Sequence, residues 1–331
     1  MCSIFTFLNV KLKAQNGFSF LNLSSQAKII GIGGNVCTMG KNTNLSFIEN
    51  PAFLVAANTK KINLSQSVLF GKGNFSSIDF QSQSKQTQIG FFAQLLNFGT
   101  FDGYTSNGIS TGTFNANDIC LGMSLATKKR NINYGISLKL ANSNVEIYNS
   151  NAILFDFGAV FIHPKNDFSF GLSIRNLGLV LKEYLPNQAN SLPLDIRIGS
   201  TFKLKHAPFR FTISMVQLND LIKKPTTSNA ISVKNSAGVT QILTQTPFKK
   251  IANHVNLGTE ILISPNVSIL FGYKFRNQDL AIPNQNLGNG LSFGANFGGR
   301  FLNLGYAYQS FSVAGGQHSL SINLDSSKLL K

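Results

Sequence analysis

The sequence predicts an all-β fold, a transmembrane antiparallel β-barrel of about fourteen strands, and three observations carry the prediction. Charged residues are only 13% of the 331, too few to cover an ordinary water-facing surface, while Phe (29) and Gly (29) are abundant. No stretch approaches the roughly 18 apolar residues of a spanning helix. Segments of about ten residues, the length of a tilted membrane strand, alternate with period two.

The alternation is clear in residues 119–126, where Ile119, Leu121, Met123 and Leu125 alternate with Cys120, Gly122, Ser124 and Ala126. Tyr134, Ile136, Leu138 and Leu140 alternate with Gly135, Ser137 and Lys139, and Phe168, Phe170, Leu172 and Ile174 with Ser169, Gly171, Ser173 and Arg175. Successive strand side chains point to opposite faces, so each segment has one apolar face and one of small or polar residues. A soluble sandwich also alternates, but its second face carries mixed charge, whereas small side chains suit a confined barrel interior.

The segments are 62–71, 75–82, 87–96, 114–127, 131–142, 151–163, 167–176, 195–205, 208–217, 252–263, 266–275, 289–298, 300–309 and 316–324. Short turns at 127–130, 164–167, 205–208, 264–266 and 298–300 alternate with longer connections at 97–113, 143–150, 177–194, 218–251, 276–288 and 310–315. Short turns at one end and long loops at the other are the pattern of outer-membrane barrels, with both termini at the periplasmic end. The expected division is a degenerate signal peptide over 1–15, a plug segment over 16–60 inside the lumen, the barrel over 61–325 and a periplasmic tail over 326–331.

The formal charge of +16 would suit nucleic acid, but the basic residues gather at the short turns (Lys128, Lys129, Arg130, Lys165, Lys203, Lys205, Arg210). No basic helix or aromatic-interleaved patch accompanies them, so anionic lipid is the expected neighbour and nucleic acid is not. Arg175, Arg197, Lys203, Glu260 and Lys274 fall on the small-residue face. There they either line a conducting lumen or hold the plug by hydrogen bonds and ion pairs, and the small neighbours favour the plug.

Gly31, Gly33 and Gly34 follow an apolar run as a phosphate loop would, yet Val36 stands where a dinucleotide fingerprint needs Gly or Ala, and no Walker Lys-Ser/Thr follows. They are expected to let the plug turn tightly, as are Asn50 and Pro51. Ser25-x-x-Lys28 and Ser82-x-x-Lys85 lack the companion motifs of penicillin-binding enzymes. His163, His206, His254 and His318 have no ligand spacing, and the first three are assigned to the short-turn end. His318 beside barrel serines raises a hydrolase reading, on one His–Ser neighbour. Cys37 and Cys120 could pair in an oxidising compartment. No cofactor, metal or catalytic group is expected.

With the strands placed, residues 18–35 (FSFLNLSSQAKIIGIGGN) and 47–54 (FIENPAFL) resemble the start of PorQ/PorV-type barrels of Bacteroidota, relatives of the FadL long-chain fatty-acid transporters. Residues 174–178 (IRNLG), 192–199 (LPLDIRIG) and above all 204–213 (LKHAPFRFTI) resemble the PorQ family. The turn Lys205, His206, Ala207, Pro208, Phe209 and Arg210 is the most specific part, and Val216–Asp220 departs from the pattern by lacking an aromatic. The resemblance implies an outer-membrane, non-catalytic component of the type IX secretion system, anchoring the attachment complex that processes cargo and joins it to lipopolysaccharide. Its implied partners are PorZ-, PorU- and PorV-like proteins. The alternative is a FadL-like transporter of hydrophobic small molecules, which should show an apolar pocket and a gap or kink in a strand.

Overall fold

In the computed structural model of the chain, the described residues are 17–38, 40–41, 43–54, 60–71, 73–84, 87–186, 190–222, 231–234, 240–243, 247–276, 289–299, 301–312 and 315–325. The segments read as signal peptide (1–15) and tail (326–331) lie outside them. The strands are β1 (Lys61–Val68), β2 (Asn74–Ser84), β3 (Thr87–Tyr104), β4 (Ser110–Lys129), β5 (Ile132–Val145), β6 (Tyr148–Ile162), β7 (Phe168–Lys182), β8 (Asp195–Lys203) and β9 (Phe209–Met215). After a two-stranded excursion, β10 (Ile231–Lys234) with β11 (Thr240–Leu243), come β12 (Val255–Ser264), β13 (Val267–Lys274), β14 (Leu291–Gly298), β15 (Leu302–Ser312) and β16 (Gly315–Asp325).

Fourteen of these strands close into one antiparallel barrel, an up-and-down meander in which β9 neighbours β12 and β16 returns to β1. The closing pair runs from Lys61 opposite Asp325 to Val68 opposite His318. No helix among the described residues is long and apolar enough to cross a membrane. The polarity is inverted relative to a soluble protein. On β5, Tyr134 and Leu140 are 44% and 55% exposed while the intervening Lys139 is 1% exposed. An apolar belt outside and polar side chains inside is the arrangement of a transmembrane barrel.

Every predicted segment corresponds to a strand, but several strands run further than alternation alone indicates. β3 and β4 extend through most of 97–113 and stand above their neighbours as a hairpin, with Phe101 stacked on Phe114 at 5.4 Å. The connection placed at 143–150 shrinks to Glu146 and Ile147, because β5 and β6 pair as far as Val145 opposite Tyr148. The strict alternation of turn and loop lengths therefore fails there and between β15 and β16. The connection at 218–251 is not a plain loop: it carries helices α2 (Leu218–Ile222) and α3 (Pro247–Ala252) besides β10 and β11. His254 precedes β12 at the long-loop end, not the short-turn end, because β9 runs away from the short turns; its Nδ1 lies 2.8 Å from the Val216 carbonyl oxygen.

Two β-bulges re-aim side chains inward. In β7, Phe155 pairs with Leu177 and Phe157 with Ile174, so Arg175 and Asn176 together oppose Asp156. Asn176 takes φ 61°, and both residues of the bulge are buried. The outward apolar set consequently shifts from Phe168, Phe170 and Leu172 to Leu177, Leu179 and Leu181. In β3, Asn97 opposes Asn117 and Gly99 opposes Ala116, which leaves Phe98 as the extra residue. Bulges bend a strand and redirect one side chain, and both of these do so toward the interior of the long-loop end.

Candidate functional site

The described residues between 17 and 54 lie within the barrel, and the small inner face is explained by how closely their backbone approaches the wall. Helix α1 (Ala27–Gly31) packs on β13–β16, and the turn Pro51–Phe53 packs on β4–β6. A Cβ on Gly135 would run into the Pro51 backbone, and one on Gly171 into the Cys37 carbonyl. Around α1, Ala27 N donates to Ser321 Oγ at 2.7 Å, and Ser319 Oγ donates to the Ser25 carbonyl at 2.7 Å. Ser25 and Ser77 share a hydrogen bond of 2.6 Å.

Two charge clusters hold the segment. In the first, Glu49 accepts from Arg197 at 2.6 Å and from Arg175 at 3.3 Å. Arg197 also pairs with Asp195 at 2.6 Å, and Lys139 with Asp156 at 2.7 Å. All six side chains are at most 3% exposed. Three carboxylates face three cations where an unpaired charge would be costly, and Lys274 is a further cation within electrostatic reach of Arg197, Asp195 and Glu49. In the second, toward the short turns, Glu260 pairs with Lys28 at 2.5 Å and Arg210 at 2.7 Å, and Arg210 reaches Asp167 at 3.2 Å. Ion pairs with Lys28 and Arg210, rather than a conducting role, thus account for Glu260. Of the five charges placed on the inner face, Lys203 keeps the inward parity but lies exposed at the rim, where the barrel ends. Lys139, Asp156, Asp195 and Glu49 were missed; Lys139 sits in plain alternation, whereas Glu49 lies in a segment with no period to place it.

Gly31 leaves no room for a side chain, since a Cβ there would stand 2.7 Å from Leu270 Cδ1. Gly33 (φ 96°) and Gly34 (φ 73°) turn the chain in the left-handed region beneath β12 and β13. Asn50 Nδ2 donates to the Cys37 carbonyl at 2.8 Å, and its Oδ1 accepts from Ala52 N at 3.0 Å, capping the Pro51 turn. The motif from Lys205 to Arg210 does not assemble as one unit. Lys205 and His206 are exposed at the turn, Pro208 accepts from Leu262 N at 2.7 Å, and Phe209 lies beside Phe211 on the outer face. Ala207 is half-buried, and Arg210 alone reaches the lumen.

His318 faces outward, with its Nδ1 2.9 Å from Tyr306 Oη, whereas Ser319 and Ser321 face inward. Neighbours on one strand point to opposite faces, so this pair forms no Ser–His dyad. No group of three metal-ligating side chains occurs among the described residues. Cys37 and Cys120 are both free and buried. Burial pushes the Cys37 thiol up to about 12, which leaves on the order of 10⁻⁴ as thiolate at pH 8. Peptide mapping after N-ethylmaleimide treatment is therefore expected to find Cys37 unmodified in the folded protein and modified after heating in detergent. Rapid native labelling would show the lumen open.

At the long-loop end, the start of the luminal segment floors a cavity of about 360 Å³. Its walls are Phe18, Phe98, Val145, Tyr148 and Leu185, with Asp118, Ser143, Tyr184 and Asn190 as polar members. The β3 bulge is what brings Phe98 to it. Outside the same wall a shallow apolar depression of about 620 Å³ spans β16 to β4, lined by residues including Leu95, Ile119 and Leu320. Leu95 pairs with Ile119 on the outer face one step from Leu96 and Asp118 on the inner, so cavity and depression lie back to back.

No protein-family model matches the chain, and no curated protein matches it. Solved structures do. The toluene transporter TodX of Pseudomonas putida is 11% identical over 91% of this chain and 97% of its own, with a TM-score of 0.54. The toluene transporter TbuX of Ralstonia pickettii is 9% identical over 92% and 98%, with a TM-score of 0.52. At these identities the likeness establishes the fold: this chain is a closed fourteen-strand antiparallel barrel, as its own strand pairing shows.

Proposed function

We propose that this protein is an outer-membrane channel that admits small apolar or amphipathic molecules at its long-loop end. The observation that carries the reading is the mouth cavity, whose size falls in the range of about 300–1,000 Å³ usual for small-molecule sites and whose lining is mostly apolar. A strand kink beside such a pocket is what sideways passage requires. The β3 bulge lies there, with the outer depression behind it. The shared fold with two toluene transporters supports cargo of that low polarity. The basic short-turn rim suits the headgroups of lipopolysaccharide or other outer-membrane lipid.

A second reading is favoured by the filled lumen. A closed barrel tied internally by two ion-pair clusters would serve as a non-catalytic anchor of the type IX secretion system beside PorZ-, PorU- and PorV-like partners. One purification separates the two. The channel reading expects a lone barrel from mild detergent that binds 1-aminoanthracene, with binding reduced at least about tenfold (1.4 kcal/mol) in Val145→Trp, which fills the cavity. Recovery with secretion components and no probe binding would overturn it in favour of the anchor.

A further inference from the structure

We propose that the mouth cavity selects apolar molecules bearing a hydrogen-bond-donating head, an amine or a hydroxyl, and rejects carboxylates. This rests on the channel reading above and names its substrate class. Asp118 on β4 is 5% exposed and lines the cavity. Ser143 Oγ donates to its Oδ1, and Tyr184 Oη donates to Ser143 Oγ at 2.5 Å. Both hydroxyl protons are thus spent in one line that ends on a single carboxylate oxygen.

The other oxygen, Oδ2, receives no hydrogen bond from the described residues, and Asp118 forms no ion pair with any of them. None of the described residues lining the cavity is Lys, Arg or His. Asp118 lines the cavity with this oxygen unpartnered by the described residues, so a ligand donor entering there can supply the hydrogen bond. Glu183, whose Oε2 accepts from Asn190 N at 2.9 Å, adds a second acid at the same loop. Asn190 contributes a buried amide nitrogen, Nδ2, with no acceptor. A hydroxyl head donates to Asp118. An ammonium head offers charge complementarity. A carboxylate head would set two like charges side by side in the mouth, which disfavours binding.

Displacement of N-phenyl-1-naphthylamine from the protein in nanodiscs, corrected with empty nanodiscs, tests this with competitors that share one chain length: decylamine, decanol and decanoate at pH 7.5. Decylamine and decanol should displace the probe at concentrations at least about tenfold below decanoate. Asp118→Asn should narrow the gap between amine and carboxylate to under about threefold. Equal displacement by decanoate and decylamine from the unmodified protein would overturn the selection and leave the channel reading standing. Failure of the probe to bind at all would sink the channel reading itself. Undiminished discrimination in folded Asp118→Asn would remove Asp118 from the role. Should that variant not fold, the unmodified series still decides, and Tyr184→Phe, which keeps the carboxylate, should retain the preference.

Discussion

Glu49→Ala is expected to destabilise the folded barrel by about 3–5 kcal/mol, the cost typical of breaking a buried pair from one side. Glu49 accepts from both Arg175 and Arg197, so its removal leaves the two buried guanidiniums short of a counter-charge where water cannot reach. The measurement is the unfolding midpoint followed by heat-modifiable gel mobility, together with protease sensitivity of residues 17–54. Glu49→Gln keeps the shape and an acceptor but not the charge, and should fall between the two. Because the cluster is buried, 1 M salt should neither mimic nor rescue the defect, unlike a surface pair. An unchanged midpoint in Glu49→Ala would mean that the ion pairs do not secure the segment.

Gly33→Val is expected to abolish most assembly. Gly33 sits at φ 96° with the position of a Cβ 3.1 Å from the Leu257 carbonyl, so valine meets both a disfavoured backbone and a wall that cannot move without breaking the β12–β13 ladder. Gly34→Val, at φ 73° with more room, should be milder. Gly112 separates the two costs, since it too has positive φ (99°) but nothing within 4 Å. Gly112→Val should retain nearly normal levels of folded protein. Equal yields from Gly33→Val and Gly112→Val would show that confinement around α1 is unimportant.

The barrel was legible because alternation and strand length are local properties, so fourteen segments could be located without knowing what they pair with. The β7 bulge is written in the sequence as well, in the change of apolar parity between Ile174 and Leu177, but the polar Arg175 and Asn176 across it resemble ordinary lumen positions. The ion pairs were not legible: Lys139 and Asp156 belong to different strands, and Glu49 belongs to none. The same holds for the cavity, which joins Phe18, Phe98, Asp118, Val145 and Tyr184 from five separate stretches. The excursion between β9 and β12 carries no period long enough to forecast its short helices. Strand direction follows from the strand boundaries alone, which place His254 at the end opposite His163 and His206.

The hydrogen bonds of Ser25 and Ala27 have a consequence for how the molecule comes into being. Two of them, Ala27 N to Ser321 Oγ and Ser319 Oγ to the Ser25 carbonyl, join the luminal segment to β16 across 294 positions, beside the place where β16 meets β1. Neither can form until β16 is in place. Loop closure over such a span is slow and entropically opposed. The luminal segment acts there as a keystone, tied to the strand that closes the ring.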